Sequence, residues 1–170
     1  MRIYNLLLSL LFAIGFTSCI TDGESYSDLW SISVGDRLPD FTVTTSGGET
    51  FSTADLANGT AVIIFFNTEC EDCRQELPEL QKVYDQTRDK TVWIAISREE
   101  NELSIEKFWQ AKGLTIPYSA QTDRKIYQQF ANSGIPRLFI ASQKAIKAAF
   151  DPDKIPATDQ LTAIINQTDR

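Results

Sequence analysis

The stretch FFNTECEDCRQELP, residues 65–78, decides how this 170-residue chain folds. It opens at the end of a nearly unbroken apolar run, TAVIIFFN (60–67). Continuous runs of β-branched and aromatic residues mark a strand buried on both faces, as at the centre of a sheet flanked by helices. The stretch then passes into Leu77, Leu80, Val83 and Tyr84, whose spacing predicts a helix over 71–87. Pro78 lies inside that helix and should kink it or remove one of its hydrogen bonds. Cys70 and Cys73 therefore sit where a buried strand hands over to a helix.

Upstream, VGDRLPDFTVT (34–44), the break at Gly47-Gly48 and ETFS (49–52) predict a short hairpin. Ser52 to Leu56 has the spacing of a capped helical turn. Downstream, TVWIAIS (91–97) reads as a second buried strand, and Ser104 to Lys112 as a helix ended by Gly113. IPYSA (116–120) reads as a strand and Arg124 to Ala131 as a short helix. RLFIAS (137–142) and AIKAAF (145–150) form a terminal hairpin, and a last helix covers 157–167. Alternating strands and helices with an antiparallel pair at the end specify an α/β domain built on a mixed sheet.

The cysteine pair must be a metal site, a staple or a redox couple. A structural zinc needs four ligands, and the chain has no histidine and no second Cys-x-x-Cys to complete the set. Haem attachment needs histidine after the second cysteine, and position 74 is Arg. A disulfide closing so short a loop constrains the unfolded chain little, so it is a poor staple. At a helix start, by contrast, unsatisfied N–H groups and the helix dipole favour a thiolate. Cys70 is thus expected to attack and Cys73, one turn in, to resolve. No metal and no cofactor beyond this pair is expected.

Composition bounds the setting. A formal net charge of −7 without a long basic run disfavours nucleic acid as a partner. At the N-terminus, Arg2 precedes the apolar stretch LLLSLLFAIGF (6–16), which is short for a membrane span. It ends in Phe16-Thr17-Ser18-Cys19, resembling a bacterial lipobox. The expectation is a signal peptide over 1–18, a lipidated Cys19 with a polar tether over 19–33, and a functional domain over 34–170. Lipidation of Cys19 leaves Cys70 and Cys73 as the only thiols of the exported domain, in a compartment where disulfides form. The expected location is the periplasmic side of a bacterial envelope membrane, and the expected state is a monomer.

FFNTECEDCRQELP resembles the active-site segment of thioredoxin-like thiol-disulfide oxidoreductases, and more closely the membrane-anchored TlpA/ResA type within the redoxin superfamily. VGDRLPDFTVTTSGGETFSTADL (34–56) is similar to the N-terminal hairpin of that branch, and SGIPRLFIAS (133–142) to its cis-proline segment. Residues 101–121 are similar to its helix–strand insertion. The resemblance implies a thioredoxin fold extended by both features. It implies that Glu76, three residues after Cys73, lies beside the thiols, where it could shuttle the Cys73 proton. It implies a cis bond before Pro136, an Ile135 backbone open to a substrate strand, and Arg137 either reading an acidic substrate or facing solvent. The partners implied are protein thiol or disulfide substrates, apocytochrome c among them, and an upstream reductant.

Glu69 stands where this family usually has Trp. Glu69, Glu71, Asp72 and Glu76 crowd the thiols, with Arg74 the one base nearby in sequence. Like charge disfavours a thiolate, which favours a reducing couple nearer about −270 mV than about −120 mV. Two rival readings share the scaffold. A thiol peroxidase would account for VGDRLPDF, but Asn67 and Ile63 occupy the positions of its Thr and Pro. A non-catalytic binding lipoprotein would have no use for the paired cysteines.

Overall fold

The computed structural model describes residues 30–56 and 59–168. The expected signal peptide and Cys19 lie outside the described residues. The central strand is β3 (Thr60–Phe66), buried at every position as its unbroken apolar run requires. It pairs parallel with β4 (Thr91–Ser97) and antiparallel with β6 (Arg137–Ser142). With β5 (Tyr118–Ser119) and β7 (Ala145–Phe150) at the edges, the mixed sheet runs β5-β4-β3-β6-β7. The N-terminal hairpin, β1 (Thr42–Thr44) and β2 (Thr50–Ser52), is a separate two-stranded sheet.

Helix α1 (Glu71–Thr87) runs through Pro78 and buries Leu77, Leu80 and Val83. It packs against α3 (Thr158–Thr168). Helix α2 (Glu102–Lys112) begins two residues earlier than its apolar spacing indicates, because Asn101 accepts a hydrogen bond from the Ser104 N–H at 3.1 Å. Gly113 ends it in the left-handed conformation.

Adjacent residues at the end of β3 point to opposite faces of the sheet, and each is met by aromatic rings. Phe65 packs with Tyr127, Phe130 and Phe139, with centroids 4.9–6.0 Å apart. Phe66 packs against Trp109 of α2 at 4.9 Å, and Trp109 in turn against Tyr118. The strand end that leads into the cysteines is thereby clamped from both sides.

Two expectations need correction. The helix read over 124–131 reduces to one 3₁₀ turn, Tyr127–Gln129. The chain leaves helical geometry there because Ala131 bridges to Trp30 and the Phe130 carbonyl accepts the Ser31 N–H at 3.1 Å. The same contacts show that residues 30–33 belong to the folded domain and not to a tether. Ile32 is buried and Trp30 packs edge-on against Phe139 at 5.5 Å. Among the described residues no helix is long and apolar enough to cross a membrane.

Candidate active site

Strand register assembles the site. Phe66 lies opposite Ser97 of β4, and Phe65 opposite Arg137 of β6. Because β4 runs with β3 and β6 against it, the residues after Ser97 and those before Arg137 meet the residues after Phe66. Three loops, 67–70, 98–101 and 133–136, therefore converge at one end of the sheet. The Arg98 N–H donates to the Phe66 carbonyl at 2.7 Å and closes this end.

The cysteine loop is shaped by Asn67, whose side-chain oxygen accepts the Glu69 N–H at 2.8 Å and whose carbonyl accepts the Cys70 N–H at 3.1 Å. Cys70 is the N-cap of α1, with extended backbone, and its carbonyl accepts the Arg74 N–H at 3.0 Å. Its partly exposed thiol donates to the Ile135 carbonyl at 3.5 Å. Cys73 is wholly buried behind it, and both thiols are free. Burial pushes the Cys73 thiol far above its ordinary value. An Asn67 backbone hydrogen bond opposes this, the adjacent Cys70 adds to it, and the positive charge of Arg98 opposes it again. The result is one accessible thiol backed by one desolvated, strongly protonated thiol.

The Ile135–Pro136 bond is cis, and both residues are buried beside Cys70. Gly134 before them is left-handed (φ +79°), and its carbonyl accepts the Tyr127 hydroxyl at 2.8 Å. A Cβ there would come within 3.2 Å of the Arg137 guanidinium, so glycine is needed for space as well as for backbone angle.

Arg137 neither faces solvent nor presents its charge to a substrate. It is 1% exposed, pairs with buried Asp151 at 2.6 Å and donates through Nε to the Ser133 carbonyl at 2.8 Å. Its guanidinium lies 3.9 Å from the Trp30 ring centroid. The residue braces the cis-proline loop from behind. Glu76 is half-buried on α1 and borders a pocket with Glu79 and Ile155–Thr158. Desolvation, and then the charge of Glu79, raises its carboxyl above the usual range. Among the described residues the groups that act on Cys73 are Asn67, Cys70 and, least, Arg98, and Glu76 is not one of them.

Sequence reading took Arg74 as the one nearby base, and the fold adds to it. Arg98, Glu99 and Arg124 line an open pocket with Asn67, Glu69, Cys70 and Ile135. Behind it the buried Glu100 carboxylate accepts from both the N–H and the hydroxyl of Thr68, fixing the residue two before Cys70. Glu69, Glu71 and Asp72 are exposed at the rim. Among the described residues no group of three or more Cys, Asp or Glu side chains is arranged to hold a metal ion.

The family model described as the AhpC/TSA family matches residues 34–149. The chain belongs to this family. It is also similar to the thiol-disulfide oxidoreductase ResA of Bacillus subtilis (strain 168), with 27% identity over 139 residues, 80% of this chain and 75% of that protein. A thiol:disulfide interchange protein of the thioredoxin family from Chlorobium tepidum TLS superposes with a TM-score of 0.70 at 19% identity, covering 82% of this chain and 99% of that one. The thioredoxin domain of a thiol-disulfide oxidoreductase from Bacteroides vulgatus superposes with a TM-score of 0.68 at the same identity and coverage. The fold is that of thioredoxin, with the hairpin and the helix–strand insertion added. Within the family, this similarity to ResA makes the chain a thiol-disulfide oxidoreductase.

Two outcomes are expected. Asp151→Asn strands a buried guanidinium and should cost about 3–5 kcal/mol of stability by urea denaturation. Glu76 holds its proton to higher pH when folded than when unfolded. Its contribution therefore favours the fold at low pH and is lost as pH rises through the raised value. Thermal unfolding of Glu76→Gln across pH 4–8 should show a flatter profile than wild type, with the gain at the neutral end.

Proposed function

We propose that this oxidoreductase acts outside the cytoplasm as a reductant of protein disulfides, with Cys70 attacking and Cys73 resolving. One observation carries the reading: an accessible thiol at a helix N-cap, held against the carbonyl before a cis-proline, with a fully buried thiol one turn behind. The Cys70 thiolate attacks one sulfur of the substrate disulfide, forms a mixed disulfide and releases the first substrate thiolate, which takes a proton from water. Cys73 then gives up its proton and attacks the Cys70 sulfur. The Cys70–Cys73 disulfide forms, the second substrate thiolate leaves, and two electrons have passed to the substrate. A dithiol reductant restores the pair.

The reducing direction is supported by burial of Cys73, since a dithiol whose thiolate is disfavoured gives up its electrons more readily. Glu76 is proposed to relay the Cys73 proton, on the strength of its raised carboxyl and its place one turn along α1. The Ile135 backbone is proposed to pair with an extended substrate such as apocytochrome c. Export and anchoring through Cys19 are proposed from the charged, apolar and small-residue pattern of the first 19 residues. A peroxidase reading finds little in the site: Ile63 is buried in β3, and the Asn67 side chain is engaged with the loop backbone.

Cys73→Ser should accumulate mixed disulfides through Cys70 that mass spectrometry can identify, while Cys70→Ser accumulates none. Equal trapping by both variants would remove the assigned roles. Redox titration against glutathione buffers should place the couple below about −180 mV, and a value above that would reverse the direction.

A further inference from the structure

Arg98 is a group of the site that sequence reading did not anticipate and that the exchange steps leave without a task. It follows β4 directly, and two contacts fix its position. Its N–H is bonded to the Phe66 carbonyl at 2.7 Å, and its guanidinium lies 5.5 Å from the Tyr127 ring centroid. Tyr127 in turn donates to the Gly134 carbonyl, next to Ile135. The cation is thus built into both walls of the cleft that holds Cys70.

Its donors are nevertheless unspent. Nε is buried without a partner, and no hydrogen bond or ion pair from a described residue reaches the guanidinium. The neighbouring cation is committed, since Arg124 pairs with Glu99 at 2.5 Å. Both arginines, with Glu99, Glu69 and Asn67, line an open pocket of about 310 Å³ that also contains Cys70 and Ile135. A guanidinium held rigidly beside a reactive sulfur, with free donors facing an open pocket, matches the fork geometry that carboxylates accept.

We propose that Arg98 is a specificity-determining residue that receives a carboxylate carried by the substrate beside the cysteine under attack. The assignment rests on the reading of Cys70 as the attacking thiol of a disulfide reductase. It gives an acidic protein a means of favouring acidic segments around the disulfide, despite the carboxylates at the rim. Arg98 also acts on Cys73 through space, so the test must separate recognition from tuning of the thiols.

The purified full chain is assayed with dithiothreitol as electron source. Two C-terminally amidated peptides, each with one internal disulfide, differ only in Glu or Gln next to the attacked cysteine. Wild type should reduce the Glu peptide with a kcat/KM about tenfold higher, mainly through KM. In Arg98→Gln the ratio should fall to about one, whatever change of rate the two peptides share. Arg98→Lys should restore part of the preference. A third peptide, with a free C-terminal carboxylate and no Glu, supports chain ends as a further source if it is preferred over its amide and restricts the site to side chains if it is not. Equal slowing of both amidated peptides in Arg98→Gln overturns the proposal, because a charge acting on the thiols alone cannot tell them apart. Failure of wild type to reduce either peptide counts against the reductase reading. In that case calorimetric binding of the peptides with cysteines changed to serine decides: equal affinity of the Glu and Gln versions overturns the role of Arg98, and tighter binding of Glu lost in Arg98→Gln supports it.

Discussion

Everything in this site depends on how β3 is paired. One neighbour runs with it and the other against it, so the end of β4 and the start of β6 arrive at the point where β3 releases the chain into α1. A fully parallel sheet would carry the loop before β6 to the opposite end, and the cis-proline would never meet the cysteines. Because β3 is buried on both faces, a one-residue slip would move Phe65 out of the aromatic cluster and Phe66 off Trp109. The apolar core thus keeps the reacting groups in place.

The thiols themselves are handled asymmetrically. Cys70 touches solvent and a backbone carbonyl, whereas Cys73 has lost its water altogether. Desolvation, the largest influence on Cys73, is only partly offset by the Asn67 backbone and Arg98. The acidic residues that dominate the local sequence are exposed, so their influence is screened by water, while Arg98, which follows β4, acts on Cys73 against its burial.

What was legible in the sequence was what local pattern determines. The apolar run of β3, the helical spacing of Leu77, Leu80 and Val83, and the cysteines at the junction are all read within one continuous stretch. Pro136 and the helix–strand insertion were legible by resemblance. Arg98 and Glu100 were not, because they reach the cysteine loop only through the parallel register of β4, which local sequence does not encode. Their position just beyond the carboxyl end of a strand next to the central one is the signal that could have drawn attention to them. Arg137 misled for a related reason. A charged residue after proline reads as surface, and its burial becomes reasonable only once Asp151, from the far end of β7, is found opposite it. Trp30 was likewise assigned to a polar stretch, and only its tertiary partners reveal it as part of the core.

Trp30 also bears on the redox loop. The polypeptide enters the described fold at this residue, whose ring covers the guanidinium of the residue after the cis-proline and whose backbone bridges to Ala131. Trp30 and the redox loop are therefore two sides of one layer of side chains. A version trimmed back to Val34 would keep every strand and helix of the fold while removing the indole that covers Arg137. Any displacement of Trp30 would therefore be felt first at the loop that faces the thiols.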